Sequence, residues 1–163
     1  MRIRRFKTGD EVALFQVFLS AVHGIAAHDY SPEQIQAWAP ITLPAEIWAS
    51  KMQTLRPWVL EIDNTIVAYA DVQANGYIDH FFVAANATRK GLGSQLMQQI
   101  FATATHLAMI ELSADVSISA EPFFLHHGFA VAERKQTLCR GVILQNALMR
   151  KKMDYRIDIP QKK

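Results

Sequence analysis

The residue types with the clearest chemical use lie between Asp79 and Ser94. Asp79 and His80 stand side by side inside the apolar run Ile78–Val83. A carboxylate or an imidazole next to a bound amine can take its proton, and the imidazole does so with an ordinary pKa nearer neutrality. Further on comes Arg89-Lys90-Gly91-Leu92-Gly93-Ser94, the end of the longer stretch Val83–Ser94. Gly91 and Gly93 can take positive φ and let backbone approach a ligand closely. From Ser94 onward Leu96, Met97, Ile100, Phe101, Ala104 and Leu107 recur at helical spacing. The first N–H groups of such a helix have no partner within it. Together with the helix dipole they form an anion site, most often for phosphate. Arg89 and Lys90 add positive charge at that spot. The spacing is not that of a P-loop, which continues Gly-Lys-Ser/Thr, nor of a dinucleotide fingerprint, which carries a third glycine. A plain tight turn before a helix is the structural alternative.

Several elements must position these residues. Met1–Lys7 reads as a first strand. Thr8 and Glu11 have the spacing of a capping box for a helix from about Asp10 to Ala27, apolar around much of its circumference. Ser31-Pro32-Glu33-Gln34 starts a second, short helix that stops near Pro40, and Pro44–Leu55 forms a third. Trp58–Ile62 and Thr65–Val72 flank Asp63-Asn64 and read as a β-hairpin. Tyr77–Val83 follows the Asn75-Gly76 turn as a strand. Ala108–Val116, separated from it by the long helix, should lie parallel to it. Ser119–His127 is a short helix with Ser119 at its start, ended by Gly128. Phe129–Leu138 and Val142–Met149 form a last pair around Arg140-Gly141.

The whole chain sets wider bounds. Its 163 residues are enough for one domain with a sizeable core. The domain is expected over residues 1–149, and residues 150–163 read as a charged tail. The net charge of +2 gives no argument for nucleic acid. The single cysteine, Cys139, excludes a disulfide within the chain, and a reducing cytoplasm is the expected setting. No apolar run approaches the ~20 residues of a membrane span. The basic start Met1-Arg2-Ile3-Arg4-Arg5-Phe6 lacks the apolar segment of a signal peptide.

Ile78-Asp79-His80-Phe81-Phe82-Val83, then five residues, then Arg89-Lys90-Gly91-Leu92-Gly93-Ser94 resembles the acetyl-CoA motif of the GNAT N-acetyltransferase superfamily. Thr88 stands where that family writes Gln or Arg. A second stretch, Ser117-x-Ser119-Ala120-x-x-Phe123-Phe124-x-x-x-Gly128-Phe129, resembles the family's segment after its fifth strand. The resemblance covers essentially Arg2–Met149. It implies an α/β (α+β) fold: a mixed, mostly antiparallel sheet with helices on both faces, splayed between the fourth and fifth strands. It implies backbone contacts from Phe81, Phe82 and Val83 to the pantetheine arm of acetyl-CoA, with the thioester oxygen held near Phe82–Val83. It also implies pyrophosphate contacts from Arg89, Lys90, Gly91, Leu92, Gly93 and Ser94, and places Ser119 where the family often has a cofactor-binding Asn. Phe124 departs from the family, which frequently carries a Tyr there to protonate the departing thiolate.

The expected activity is acetyl-CoA-dependent N-acetyl transfer to a primary amine, direct and without a metal. Asp79 or His80 is the base, and parity does not choose between them because the family's fourth strand often bulges. The acceptor is a small-molecule or protein amine, and the chain a monomer or homodimer. Two rivals remain: a non-catalytic acyl-CoA-binding module, favoured by Phe124, and an acetyltransferase of protein or tRNA. His23, His28, Asp29 and Tyr30 read as a solvated loop or a polar pocket rim before a metal site, since neither a further ligand nor H-E-x-x-H completes them. Trp38, Trp48 and Trp58 read as core or pocket-wall aromatics, and Cys139 as a small buried hydrophobe.

Overall fold

The computed structural model describes residues 1–155. Its elements run β1 (Arg2–Arg5), α1 (Glu11–Gly24), a 3-10 turn (Ala26–His28), α2 (Pro32–Trp38), α3 (Ala45–Leu55), β2 (Trp58–Ile62), β3 (Thr65–Ala70), β4 (Tyr77–Ile78) and β5 (Phe81–Val83). A second 3-10 turn (Ala85–Ala87) leads to α4 (Leu92–His106), β6 (Glu111–Ser117), α5 (Glu121–His126), β7 (Ala130–Cys139) and β8 (Val142–Lys152). The strands form two four-stranded sheets, ordered β1-β2-β3-β5 and β4-β6-β8-β7. Every pairing is antiparallel except β4 with β6. That parallel pair is joined through α4, as a parallel connection requires.

Local chemistry explains the tight turns. Asp63 and Asn64 both take positive φ, 48° and 61°, and close the β2–β3 hairpin. Arg140 and Gly141, at 45° and 79°, do the same for β7–β8. The Ser31 capping box forms in full: the Ser31 hydroxyl accepts from Gln34 N–H, and the Gln34 side chain accepts from Ser31 N–H.

The box expected at Thr8 and Glu11 does not form. Asp10 is the N-cap of α1, but its carboxylate takes a bidentate bond from Arg4 at 2.7 and 2.9 Å and another from Lys7 N–H. Arg4 also reaches Glu61 on β2. A half-buried arginine bridging two carboxylates outweighs a local cap. α5 likewise starts after Ala120 rather than at Ser119.

β3 is the centre of the first sheet. Tyr69 is fully buried and faces α1, where the rings of Phe18, His80 and Phe82 gather. Ala68 and Ala70 alternate to the opposite face. Ala70 pairs with Trp58, whose Nε1 donates to Thr103 Oγ1 on α4 at 3.0 Å, so α4 covers that face. Helices therefore lie on both sides of the sheet. By length and composition Glu11–His28 could cross a membrane, the one such stretch among the described residues. Here its Leu14, Val17, Phe18, Ala21 and Val22 are buried in the core.

The boundary expected at Met149 falls inside β8, which continues to Lys152. Met153 N–H then donates to Ile110 O, and the Tyr155 hydroxyl lies within hydrogen-bond distance of Ala104 O in the last turn of α4 and Met109 O just after it. The first residues of the expected tail are thus tied into the fold, while Arg156–Lys163 lie outside the described residues.

The strand expected over Tyr77–Val83 is broken in two. β4 pairs with β6, β5 pairs with β3, and Asp79-His80 bends between them. The cause is Asp71, fully buried just after β3. Its Oδ1 accepts from Asp79 N–H at 3.0 Å and from His80 N–H at 2.6 Å, and its own N–H donates to His80 O at 3.1 Å. Burial pushes the Asp71 carboxyl up to about 6 from an ordinary 3.8, helped by the negative charge of Asp79 and opposed by the N–H bonds.

Asp71→Ala should therefore destabilise strongly, by about 2–5 kcal/mol, because two buried N–H groups lose their acceptor. Asp71→Asn keeps one acceptor oxygen and should cost less. The pH dependence should also change. A raised Asp71 binds its proton earlier in the folded state, so its contribution to stability grows as pH falls from about 6 to 3.8. His80 is lowered from 6.5 to about 4, so its contribution is lost as pH falls through that window. The two oppose each other in wild type. Asp71→Asn removes the first, and urea melts should show its stability dropping more steeply than wild type between pH 6 and 4. An unchanged pH slope would contradict this account.

Candidate active site

The glycine turn is held from both sides. Thr88 Oγ1 donates to Ala85 O at 3.0 Å and fixes the approach. Arg89 and Gly91 both take positive φ, 61° and 73°, and α4 begins at Leu92. A Cβ on Gly91 would meet nothing within 4 Å, so glycine serves the backbone conformation there and leaves the turn open above. Gly93 differs: a Cβ would stand 3.2 Å from the Phe123 ring and 3.7 Å from Val83 Cγ2, so it sets how closely α4 approaches α5 and β5. No acidic residue lies in the first turn of α4. The Ser94 hydroxyl lies 3.1 Å from His127 Nε2, a partner that the sequence assigned only to a helix end. Leu92 is buried, and Lys90 is exposed outside the cleft lining.

Beyond the turn, β5 and β6 part. In the β3–β5 ladder Asp71 N–H bonds His80 O and Ala84 N–H bonds Val67 O. Alternation makes Tyr69–Phe82 the hydrogen-bonded pair between them, so Phe82 spends its backbone groups on β3. The backbone groups of Phe81 and Val83 point the other way, into the gap. Of the three residues expected to contact an extended ligand, these two have backbone available. β6 pairs with β4 only through Ser113 and Ala114, so Asp115–Ser117 border the same gap. Ser119, also in the cleft wall, donates its hydroxyl to Asp29 Oδ2 at 2.7 Å.

The gap opens onto the bend. One cleft of about 800 Å³ runs from Arg89, Gly91, Gly93 and Ser94, past Phe81–Val83, to Asp79 and His80. Both titratable residues line it, so the bend answers a question that alternation could not. Asp79 Oδ2 lies 2.6 Å from Lys51 Nζ on α3. His80 sits among rings, with Phe82 at 5.3 Å and Phe18 and Trp48 each at 5.8 Å between centroids. Its Nδ1 lies 3.0 Å from the Tyr69 hydroxyl. Burial holds His80 down at about 4, with Asp79 pulling upward and Lys51 pushing further down. Burial, with the charges of Asp71 and Asp79, also raises the Tyr69 phenol well above its ordinary value. At neutral pH the pair is thus neutral imidazole and neutral phenol. If Tyr69 donates to Nδ1, Nε2 carries the proton; if Nδ1–H donates to Tyr69, Nε2 can accept one.

Two residues here were missed in the sequence, Lys51 and Asp71. Lys51 falls one helical turn after Ile47, and both line the cleft, so the four-residue spacing was its signal. Asp71 showed only as an acid at the end of an apolar strand. Trp38 and Trp48 line the cleft, while Trp58 packs against α4. Phe124 is buried against Phe81 and Phe129 at the cleft wall and offers no hydroxyl. The Tyr30 hydroxyl accepts from Ile118 N–H and donates to Gln145 O. Cys139, expected as a buried hydrophobe, is half-buried and lines the cleft, with Sγ 3.2 Å from Ala37 O. His23 Nε2 lies 2.7 Å from Ala39 O, a structural tie, and His28 is exposed. Among the described residues no group of three or more His, Cys, Asp or Glu could hold a metal ion.

Comparison with known proteins agrees with this architecture. Residues 26–151 match the family described as "Acetyltransferase (GNAT) domain". The chain is 34% identical over 155 residues to the "Uncharacterized N-acetyltransferase YafP" of Escherichia coli K12, covering 95% of this chain and 98% of that protein. Among solved structures, a GCN5-related N-acetyltransferase from Rhodopseudomonas palustris superposes with a TM-score of 0.89 at 22% identity, over 93% of this chain and 95% of that one. The PaiA N-acetyltransferase of Thermoplasma acidophilum, solved in complex with coenzyme A, gives 0.73 at 18% identity, over 93% and 98%. YncA of Salmonella typhimurium, solved with acetyl-CoA, gives 0.68 at 20% identity, over 96% of each chain. The family match over most of the chain and the 34% identity to a near-full-length relative show that this chain is an N-acetyltransferase of the GNAT superfamily.

Proposed function

We propose that the protein moves an acetyl group from acetyl-CoA to a primary amine by direct transfer. The observation that carries this reading is the continuity of the cleft, which joins the open start of α4, a strand edge with free backbone groups, and a carboxylate beside an imidazole. The residues present fit the co-substrate. The N–H groups at the start of α4 and the open space over Gly91 suit a pyrophosphate, with Arg89 beside them and Ser94 in the first turn. Phe81 and Val83 offer the gap the alternate donors and acceptors that an extended amide-bearing arm can pair with, as an added strand would. When bound, acetyl-CoA supplies an acetyl thioester whose thiolate is a fair leaving group even unprotonated. That makes the missing hydroxyl of Phe124 tolerable. The Val83 N–H faces the gap and can hold the thioester oxygen as charge develops on it.

Asp79 is the base in this reading. It lines the cleft and needs no tautomer change to accept a proton. His80, already neutral and tied to Tyr69, is the alternative. With His80 held at about 4, its ionisation does not shape a pH–rate profile in the neutral range. A rise of kcat/KM with pH there reports the acceptor's own ammonium. Phe124 is the observation that favours the rival reading, a module that holds acyl-CoA without turnover.

Saturating acetyl-CoA should raise the melting temperature, since a ligand of the native state at 100 times its Kd stabilises by about 2.7 kcal/mol. ATP and acetate should do far less. A melting curve indifferent to both acetyl-CoA and CoA would remove the cofactor assignment.

Valine at the two glycines should separate turn from packing. Gly91→Val forces a branched residue into positive φ and should weaken CoA binding. Gly93→Val should in addition lower stability by about 1–3 kcal/mol, because the Phe123 ring must move. Isothermal titration and urea melts read both effects. Unaltered CoA affinity in a folded Gly91→Val protein would reduce this loop to a simple connection.

An amine panel read by thiol release tests the chemistry. Asp79→Asn should lower kcat/KM by about 10²–10⁴-fold with CoA affinity unchanged. His80→Asn, measured beside it, should be the milder variant. The reverse order would transfer the role to His80. CoA binding without thiol release on any amine, protein amines included, would favour the binding module.

A further inference from the structure

We propose that Lys51 is a self-acetylation site, an acceptor amine built into the protein's own cleft. The inference rests on the reading above. Acetyl transfer needs a primary amine in the cleft and a base in contact with it. The chain supplies both: Lys51 Nζ lies 2.6 Å from Asp79 Oδ2, and both residues line the cleft beside Phe81–Val83. The Lys51 side chain is 45% exposed, so its flexible stem is not locked in place. The ammonium therefore stands where a bound acceptor's ammonium must stand to lose its proton to Asp79.

The step balances. Lys51 ammonium gives one proton to the Asp79 carboxylate, and the free amine attacks the thioester carbonyl. The N–C bond forms and the C–S bond breaks. The second nitrogen proton goes to the departing thiolate, and Asp79 returns its proton to water. The products are N-acetyl-Lys51, coenzyme A and a released proton. The acetylated side chain carries no charge, so the ion pair with Asp79 ends and that carboxylate is left for an external amine.

The test is tandem mass spectrometry of the full chain after incubation with acetyl-CoA and no added amine. One acetyl group should accumulate on Lys51 well ahead of the exposed Lys7 and Lys152. Its rate constant should not depend on protein concentration, because the reaction stays within one molecule. Asp79→Asn should slow it about 10²-fold, excess CoA should suppress it, and Lys51→Arg should abolish it. The same samples are scored for the acetyl-CoA melting shift and for thiol release with the amine panel. If those signals are present while Lys51 is modified no faster than Lys7 and Lys152, the self-acetylation proposal falls and the transferase reading stands. A rate that climbs with protein concentration also overturns it, since one molecule would then be modifying another. If the melting shift is absent too, both readings fall together.

Discussion

One buried carboxylate oxygen, Asp71 Oδ1, accepts from two consecutive backbone N–H groups, and the architecture of the cleft rests on it. In an unbroken strand the N–H groups of Asp79 and His80 would point to opposite sides. Gathering both on one acceptor bends the chain, so Tyr77–Ile78 joins one sheet and Phe81–Val83 the other. The same bend turns two adjacent side chains into one cavity. A charge so deep in the core is tolerated because both its oxygens accept hydrogen bonds, Oδ1 from the two N–H groups and Oδ2 from Gln73 Nε2 at 3.5 Å, and its raised pKa is the visible residue of the desolvation it still suffers.

Around that bend, the side chains have divided roles. Asp79 meets a flexible cation at the cleft edge, while burial among rings keeps His80 uncharged and a phenol holds it. Neighbouring residues of one chain thus meet very different surroundings. An ammonium in the cleft finds a carboxylate and, next to it, an imidazole that does not compete for positive charge. Such a separation of environments is how a fold assigns distinct tasks to adjacent titratable groups.

Much of this was legible from local sequence because local physics fixes it. Asp63-Asn64 and Arg140-Gly141 tolerate positive φ, Ser31 and Gln34 are close enough to cap each other, and Gly91 needs only its own backbone freedom. The Asp63-Asn64 turn between two apolar runs was sufficient to find the hairpin, and the paired motifs were sufficient to suggest the fold. What sequence could not supply were contacts across the chain. Arg4 takes the Asp10 side chain from the helix cap because Glu61, on another strand, helps hold the guanidinium. The break in the Tyr77–Val83 strand depends on a side chain several residues earlier, and Lys51 reaches Asp79 from a separate helix. Spacing could set Lys51 on the cleft side of its helix, but no period or spacing announces its pairing with Asp79 or the other two contacts.

The split sheet has a mechanical consequence. Among the described residues no strand ladder crosses between β5 and β6. The two halves are joined there by the bend itself and through the helices on the first sheet, whose Tyr30 hydroxyl accepts from Ile118 N–H and donates to Gln145 O on the second. Spreading the halves therefore breaks no sheet hydrogen bond and leaves each four-stranded ladder intact. In most sheets a crevice this long could open only by unzipping a strand. Here the crevice follows a seam between two complete ladders, and the backbone crosses it at the bend that Asp71 holds.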